Sequence, residues 1–193
     1  NDSFTIVYLG KLSKSGGLEV LLQLPELVDI ENVRFVIGGK GHPEADHKLK
    51  ALAARDSRVE YLGFVEEREV QGLFERADVF LNPRDPNDVV NDMVFPSKIM
   101  EYLAVGKPVV STWTKGLDPI YRDLLHISES SSPGHFAQAI ESVINEPESE
   151  SDARKDRIRR FVEDSRLWSK QASRFIDFAQ DVIEESSIIS TLQ

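Results

Sequence analysis

The 193-residue chain contains no cysteine, which removes disulfide scaffolds, thiolate nucleophiles and sulfur-ligated metals at once. A reducing compartment is compatible with that absence. Positive charge is scarce too, since 23 Lys and Arg against 33 Asp and Glu leave a net charge of −10. Nucleic-acid-binding domains usually show a basic face, so this balance argues against one while leaving room for a single small basic pocket. No apolar run approaches the roughly 18–20 residues of a membrane span, and no signal peptide opens the chain. The four histidines, His42, His47, His126 and His135, show no metal-ligand spacing. Asp85, Asp88 and Asp92 lack the glycine and closing glutamate of a calcium loop. No Gly-Lys-Ser/Thr phosphate loop and no Gly-x-Ser-x-Gly elbow occurs, and Gly39-Lys40-Gly41 is only half of a dinucleotide fingerprint.

What is present is alternation. Strand-like runs at Phe4–Leu9, Val33–Ile37, Val59–Leu62, Asp78–Leu81, Pro108–Ser111 and, more weakly, Leu124–Ile127 are separated by helical patterns. Those helices are expected over 17–27, 43–54, 66–77, 96–105, 133–145, 149–163 and 166–184, with a long polar loop from 82 to 95. Near-continuous apolar strands such as FTIVYL are the mark of burial on both faces. The fold class expected is therefore α/β: a doubly wound, mostly parallel sheet of about six strands with helices on both faces. Residues 1–165 form the main domain on this reading and 166–193 a C-terminal helix. That helix carries an apolar stripe, Trp168, Ala172, Phe175, Ile176, Ala179 and Ile183. The stripe is read as packing on the domain's own sheet, the alternative being a surface made to meet an absent domain.

In an open parallel sheet, ligands bind beyond the carboxyl ends of the strands, and this chain concentrates its glycines and lysines there. The first strand exits into Gly10-Lys11-Leu12-Ser13-Lys14-Ser15-Gly16-Gly17, the second into Gly38-Gly39-Lys40-Gly41. The most informative segment is Phe95–Thr112. Pro96 is preset for the first helical turn, and Ser97 and Lys98 place a hydroxyl and a cation at a helix end, where free N–H groups favour anions. One turn later Glu101 offers an acceptor for hydroxyl groups, so the tip suits a nucleoside diphosphate. The plainer reading of Lys98 and Glu101 is a surface ion pair worth about 0.2–0.5 kcal/mol.

Taken together, these segments resemble the C-terminal, donor-binding domain of the GT-B glycosyltransferases, nearest to the retaining family 4, or group 1, type. The resemblance runs from Tyr8-Leu9-Gly10-Lys11-Leu12-Ser13 through Val36–Gly41, Val59–Val65 and Ala77–Pro83 to the helix around Trp168, and is strongest over Phe95–Thr112. It implies that Lys11 contacts the donor diphosphate, that Gly63, Phe64 and Val65 contact the base, and that Glu101 binds the ribose. It also implies donor contacts for Gly10, Gly41 and Ser97. Lys98 joins Lys11 as a catalytic cation, and Lys14 or Lys98 stands in for a second family lysine expected near Gly16. The family's first motif glutamate falls on Met93, with Asp92 adjacent but out of register.

By resemblance the activity is metal-independent transfer of a sugar from a UDP- or GDP-sugar to a glycan, lipid or other acceptor, with anomeric configuration retained. The nucleotide sugar is a substrate, and no cofactor is implied. The resemblance further implies an N-terminal acceptor-binding half, a cytoplasmic location at most peripheral to a membrane's inner face, and an isolated chain that transfers nothing. Met93 favours an alternative, a catalytically degenerate module that binds nucleotide or partner. An epimerase sharing the architecture matches less well, and a receiver-like domain fails because the first strand ends without an acidic cluster.

Overall fold

The computed structural model describes residues 3–30 and 32–191, with side chains through Ile183. Six strands form one parallel sheet: β1 (Phe4–Leu12), β2 (Val33–Gly41), β3 (Val59–Gly63), β4 (Val79–Asn82), β5 (Val109–Thr112) and β6 (His126–Ser128). Their spatial order is β3-β2-β1-β4-β5-β6. The helices are α1 (Leu18–Leu27), α2 (Pro43–Arg55), α3 (Glu67–Arg76), α4 (Val89–Met93), α5 (Lys98–Val105), α6 (Pro133–Ile144), α7 (Glu148–Ser165) and α8 (Trp168–Thr191). This is the doubly wound α/β fold expected from the alternating pattern.

Period-two alternation divides the interior. Ile6, Tyr8 and Leu12 of β1 enter a core built with α1, α2 and α6. Val7 and Leu9 point the other way, into a core built with α3, α5 and α7. Both faces of the sheet are thereby covered, which is why its strands are apolar without a polar side.

Three departures from the expected elements have local causes. β1 and β2 continue to Leu12 and Gly41 rather than ending at Leu9 and Ile37. The glycines there are not loop residues: Gly10 pairs with Gly39 and Leu12 with Gly41 in the ladder. A Cβ on Gly39, whose φ is +148°, would stand 1.7 Å from the Gly10 carbonyl oxygen, so only glycine lets the strands run side by side. Second, the polar loop contains the short helix α4, started by Asp88, whose carboxylate accepts from the Val90 N–H at 2.9 Å.

Third, α8 does not lay its stripe on the sheet. Trp168 is 90% exposed and Phe175 71%, and Ile176 and Ile183 are exposed as well. The helix packs against α7 instead. Six other helices already cover both sheet faces, so no apolar sheet surface is left for α8. The turn between α7 and α8 is held by Arg166, whose guanidinium lies 4.9 Å from the Phe161 ring centre and 5.5 Å from that of Tyr121.

The edge strand β6 is tied to α7 through a buried charged group. Arg154 donates to Glu146 at 2.8 and 3.1 Å, and His126 Nε2 lies 3.8 Å from the other Glu146 oxygen. Burial, with the Arg154 charge beside it, pulls His126 from its usual 6.5 down to about 4. The folded state thus favours neutral His126, and its contribution is complete above about 6.5 and lost as pH falls toward about 4. Denaturant midpoints measured across that window are expected to fall on acidification, and His126→Gln is expected to flatten that part of the profile. Identical profiles for the two proteins would refute the assignment.

Candidate active site

Strand order reverses between β1 and β4, the point at which open α/β sheets leave a crevice. Pairing of β1 with β4 covers Ile6 and Val7, so farther along β1 the Leu9 peptide meets a helix side chain. The Tyr102 hydroxyl of α5 accepts from the Leu9 N–H at 3.3 Å and donates to the Leu9 carbonyl at 3.1 Å. The same carbonyl accepts from Lys98 Nζ. The Tyr102 ring is stacked on Phe80, with centres 4.2 Å apart and planes 3° from parallel, and Phe74 meets it edge-on at 5.6 Å. Burial pushes the Tyr102 hydroxyl well above its ordinary value, so it remains a neutral donor.

This fastening carries Lys98 over the end of β1. A Cβ on Gly10 would approach Lys98 Nζ to 2.7 Å and the Tyr8 hydroxyl to 2.6 Å, so any larger residue there would displace the lysine tip and the Tyr8 hydroxyl. Burial lowers the Lys98 pKa from the usual lysine value. The Arg84 charge works in the same direction, and Glu101 opposes it.

The expected residues converge on one cleft of about 620 Å³ between the ends of β1, β2 and β3 and the helices α3 and α5. Gly10, Lys11, Gly41, Phe64, Val65, Lys98 and Glu101 all line it, together with Gly38, Gly39 and Lys40. Tyr102 and Phe74 close its inner end. Phe64 is 61% exposed and holds its ring 3.9 Å from Lys40 Nζ. Glu101 is exposed and forms no ion pair with Lys98, whose ammonium turns to the Leu9 carbonyl instead. The plain surface pair is thus not formed.

Three expected residues lie outside the cleft wall: Gly63, which ends β3 just before Phe64, and Lys14 and Ser97. Lys14 borders an adjoining hollow of about 360 Å³ with Lys11 and His42. His42 there caps α2, its Nδ1 accepting from the Glu44 N–H at 3.5 Å. Ser97 is exposed at the tip of α5 and its hydroxyl makes no capping bond. The first turn begins at Pro96, whose carbonyl accepts from the Ile99 N–H at 2.9 Å. Met93 is 81% exposed, and the adjacent Asp92 is engaged with Lys115 at 2.6 Å. Neither position therefore supplies a carboxylate to the cleft. Among the described residues, no group of three or more His, Asp or Glu side chains is placed to hold a metal ion.

Sequence reasoning passed over a second, smaller crevice of about 190 Å³ beside Lys11 and Lys98, at the reversal point itself. Arg84, Asn91, Tyr8 and Ser15 line it. A single arginine in a polar loop carries no motif, and only the fold brings it beside the lysines.

A sheet of this order with a crevice at its reversal point is a doubly wound, Rossmann-like domain. Residues 3–146 match the model of the glycosyl transferases group 1 family, and the chain belongs to that family. A human phosphatidylinositol N-acetylglucosaminyltransferase component is 25% identical to it over 177 residues, which cover 90% of this chain and 35% of that protein. A glycosyltransferase from Rickettsia africae has the same fold at a TM-score of 0.79 and 14% identity, over 95% of this chain and 48% of that one. The Anabaena protein HepE, solved in complex with UDP and glucose, follows at 0.68 and 16%, over 93% and 49%. The chain thus spans about a third of the human relative and about half of each solved structure.

Tyr102→Phe tests the fastening. Losing the hydroxyl leaves the buried Leu9 N–H without that partner, so stability measured by chemical denaturation is expected to fall by about 1–3 kcal/mol. No change would mean that the Leu9 peptide does not depend on α5.

Proposed function

We propose that this chain is the donor half of a retaining glycosyltransferase and binds a nucleoside-diphosphate sugar in the 620 Å³ cleft. One observation carries the reading. Residues from four separate strand ends and helix tips, Gly10 and Lys11, Gly41, Phe64 and Val65, and Lys98 and Glu101, border a single cavity. On this reading the exposed Phe64 ring takes a face of the base and the Gly38–Gly39 backbone the other side. Glu101 accepts hydrogen bonds from the ribose hydroxyls. Lys11, Lys98 and the first turn of α5 hold the diphosphate.

The reaction breaks the bond between the sugar's anomeric carbon and the β-phosphate oxygen, and forms a bond from that carbon to an acceptor oxygen, whose proton passes to the leaving diphosphate. Negative charge grows on the leaving diphosphate. Preorganised cations in a partly dry cleft stabilise such charge strongly, and Lys11 and Lys98 supply them without a metal. A helix end contributes about 0.3–1 kcal/mol, rising toward 2 when partly buried, so the lysines carry most of the effect. The acceptor, a glycan or lipid, belongs to an N-terminal half, and the exposed stripe of α8 is the surface to receive it. The isolated chain accordingly binds donor and transfers nothing. The absence of cysteine fits a cytoplasmic setting, and no helix among the described residues is long and apolar enough to cross a membrane.

Met93, at the position where the family's first motif glutamate is expected, favours a second reading, a module that binds nucleotide or only a partner without turnover. Calorimetry with UDP and GDP, with and without sugar, tests the first step, and sugar transfer by the full-length protein separates the two readings. Glu101→Gln is expected to weaken binding of the preferred ribonucleotide about tenfold and to leave its 2′,3′-dideoxy analogue unaffected. Binding of neither UDP nor GDP by the wild-type chain would overturn the proposal.

A further inference from the structure

The small crevice beside Lys98 contains a cation without a paired carboxylate. Arg84 follows β4 and is half-buried, yet no carboxylate pairs with it among the described residues. Of the five N–H donors a guanidinium carries, one bond is formed, from NH1 to Asn91 Oδ1 at 3.1 Å. The remaining donors face a crevice in which an anion could complete them.

The residue that aims it is built in. Asn91 of α4 is 2% exposed, and its amide is fully used. Nδ2 donates to the Ser15 carbonyl at 3.0 Å and to the Asp85 carbonyl at 2.8 Å, while Oδ1 accepts from Arg84. One buried side chain therefore joins the loop after β1, the loop after β4 and the Arg84 guanidinium. The backbone of Arg84 is held as well, its carbonyl accepting from the Thr112 hydroxyl at 2.5 Å. Arg84 is also close enough for its charge to act on Lys98 and on the Tyr8 hydroxyl.

We propose that Arg84, positioned by Asn91, is a further donor-recognising residue, and that its guanidinium takes an oxyanion of the β-phosphate across the crevice from Lys98. The inference rests on the nucleotide-sugar reading and extends it to a residue of a different loop. Arg84 adds, from the exit of β4, a guanidinium to the two lysines that line the same crevice. The planar fork suits two phosphate oxygens at once, which an ammonium cannot match. The placement divides the labour: base and ribose lie in the large cleft, and the terminal phosphate at the strand-order reversal. Lys11 and Lys98 line both cavities, so the diphosphate bridges them.

The test compares nucleoside mono- and diphosphates by calorimetry, using UMP with UDP and GMP with GDP on the wild-type chain and on Arg84→Gln. The expected result is that Arg84→Gln weakens binding of the diphosphate about tenfold and leaves the monophosphate within about twofold. Retained monophosphate binding also shows that the variant is folded. Arg84→Lys is expected to recover part of the loss, because charge returns without the fork. Asn91→Ala is expected to weaken the diphosphate alone in the wild-type background and to add nothing in the Arg84→Gln background. Should Asn91→Ala fail to fold, the Arg84 comparison decides by itself. Equal diphosphate affinity for Arg84→Gln and wild type would overturn this inference while leaving the nucleotide-sugar reading intact, as would an equal loss for both phosphate states. A wild-type chain that binds none of the four nucleotides would overturn the reading and the inference together.

Discussion

The Leu9 peptide is the joint on which the site turns. Its N–H and carbonyl lie where β1 has outrun its pairing with β4, and in a parallel sheet such a gap must be filled or left to solvent. Tyr102 fills it from a different element, with one hydroxyl serving both peptide groups. The Tyr102 ring stacks on Phe80, and with the helix so fastened Lys98 lies over Gly10 and Glu101 on the cleft wall. A helix tip becomes a defined site because a backbone irregularity behind it is satisfied in one way.

Around that joint, charge is distributed by position rather than by total. The chain carries −10 overall, yet the ends of β1 and β4 and the tip of α5 bring Lys11, Arg84 and Lys98 to one place. Carboxylates elsewhere are engaged with nearby cations, Asp92 with Lys115 and Glu146 with Arg154. Lys11, Lys98 and Arg84 are not neutralised in that way among the described residues, so an acidic protein keeps a locally basic pocket.

Much of this was legible from residue order. Apolar runs alternating with helical periods predicted the doubly wound sheet, and glycines and lysines at strand exits predicted where the cleft opens. Gly10, Lys11, Gly41, Phe64, Val65, Lys98 and Glu101 were found together. What misled was also physical. The glycines of β1 and β2 read as loop because flexibility is their usual role, whereas here they serve close strand approach. The α8 stripe read as core because periodicity records an apolar face and not what covers it; Trp168 and Phe175 remain exposed.

By itself the sequence determined the fold class, the end of the sheet where the cleft opens, and the family, because periodicity and short motifs are local properties written in consecutive residues. Only the tertiary structure decided which charges meet. Lys98 and Glu101, three apart on one helix, do not pair, since a carbonyl from a strand far away in the chain claims the ammonium. Arg84 and Asn91 acquire meaning through Ser15, a residue 76 positions from Asn91. Such long-range partners leave no trace in local pattern: hydrogen bonds and desolvation depend on distance in space, which the order of residues does not record.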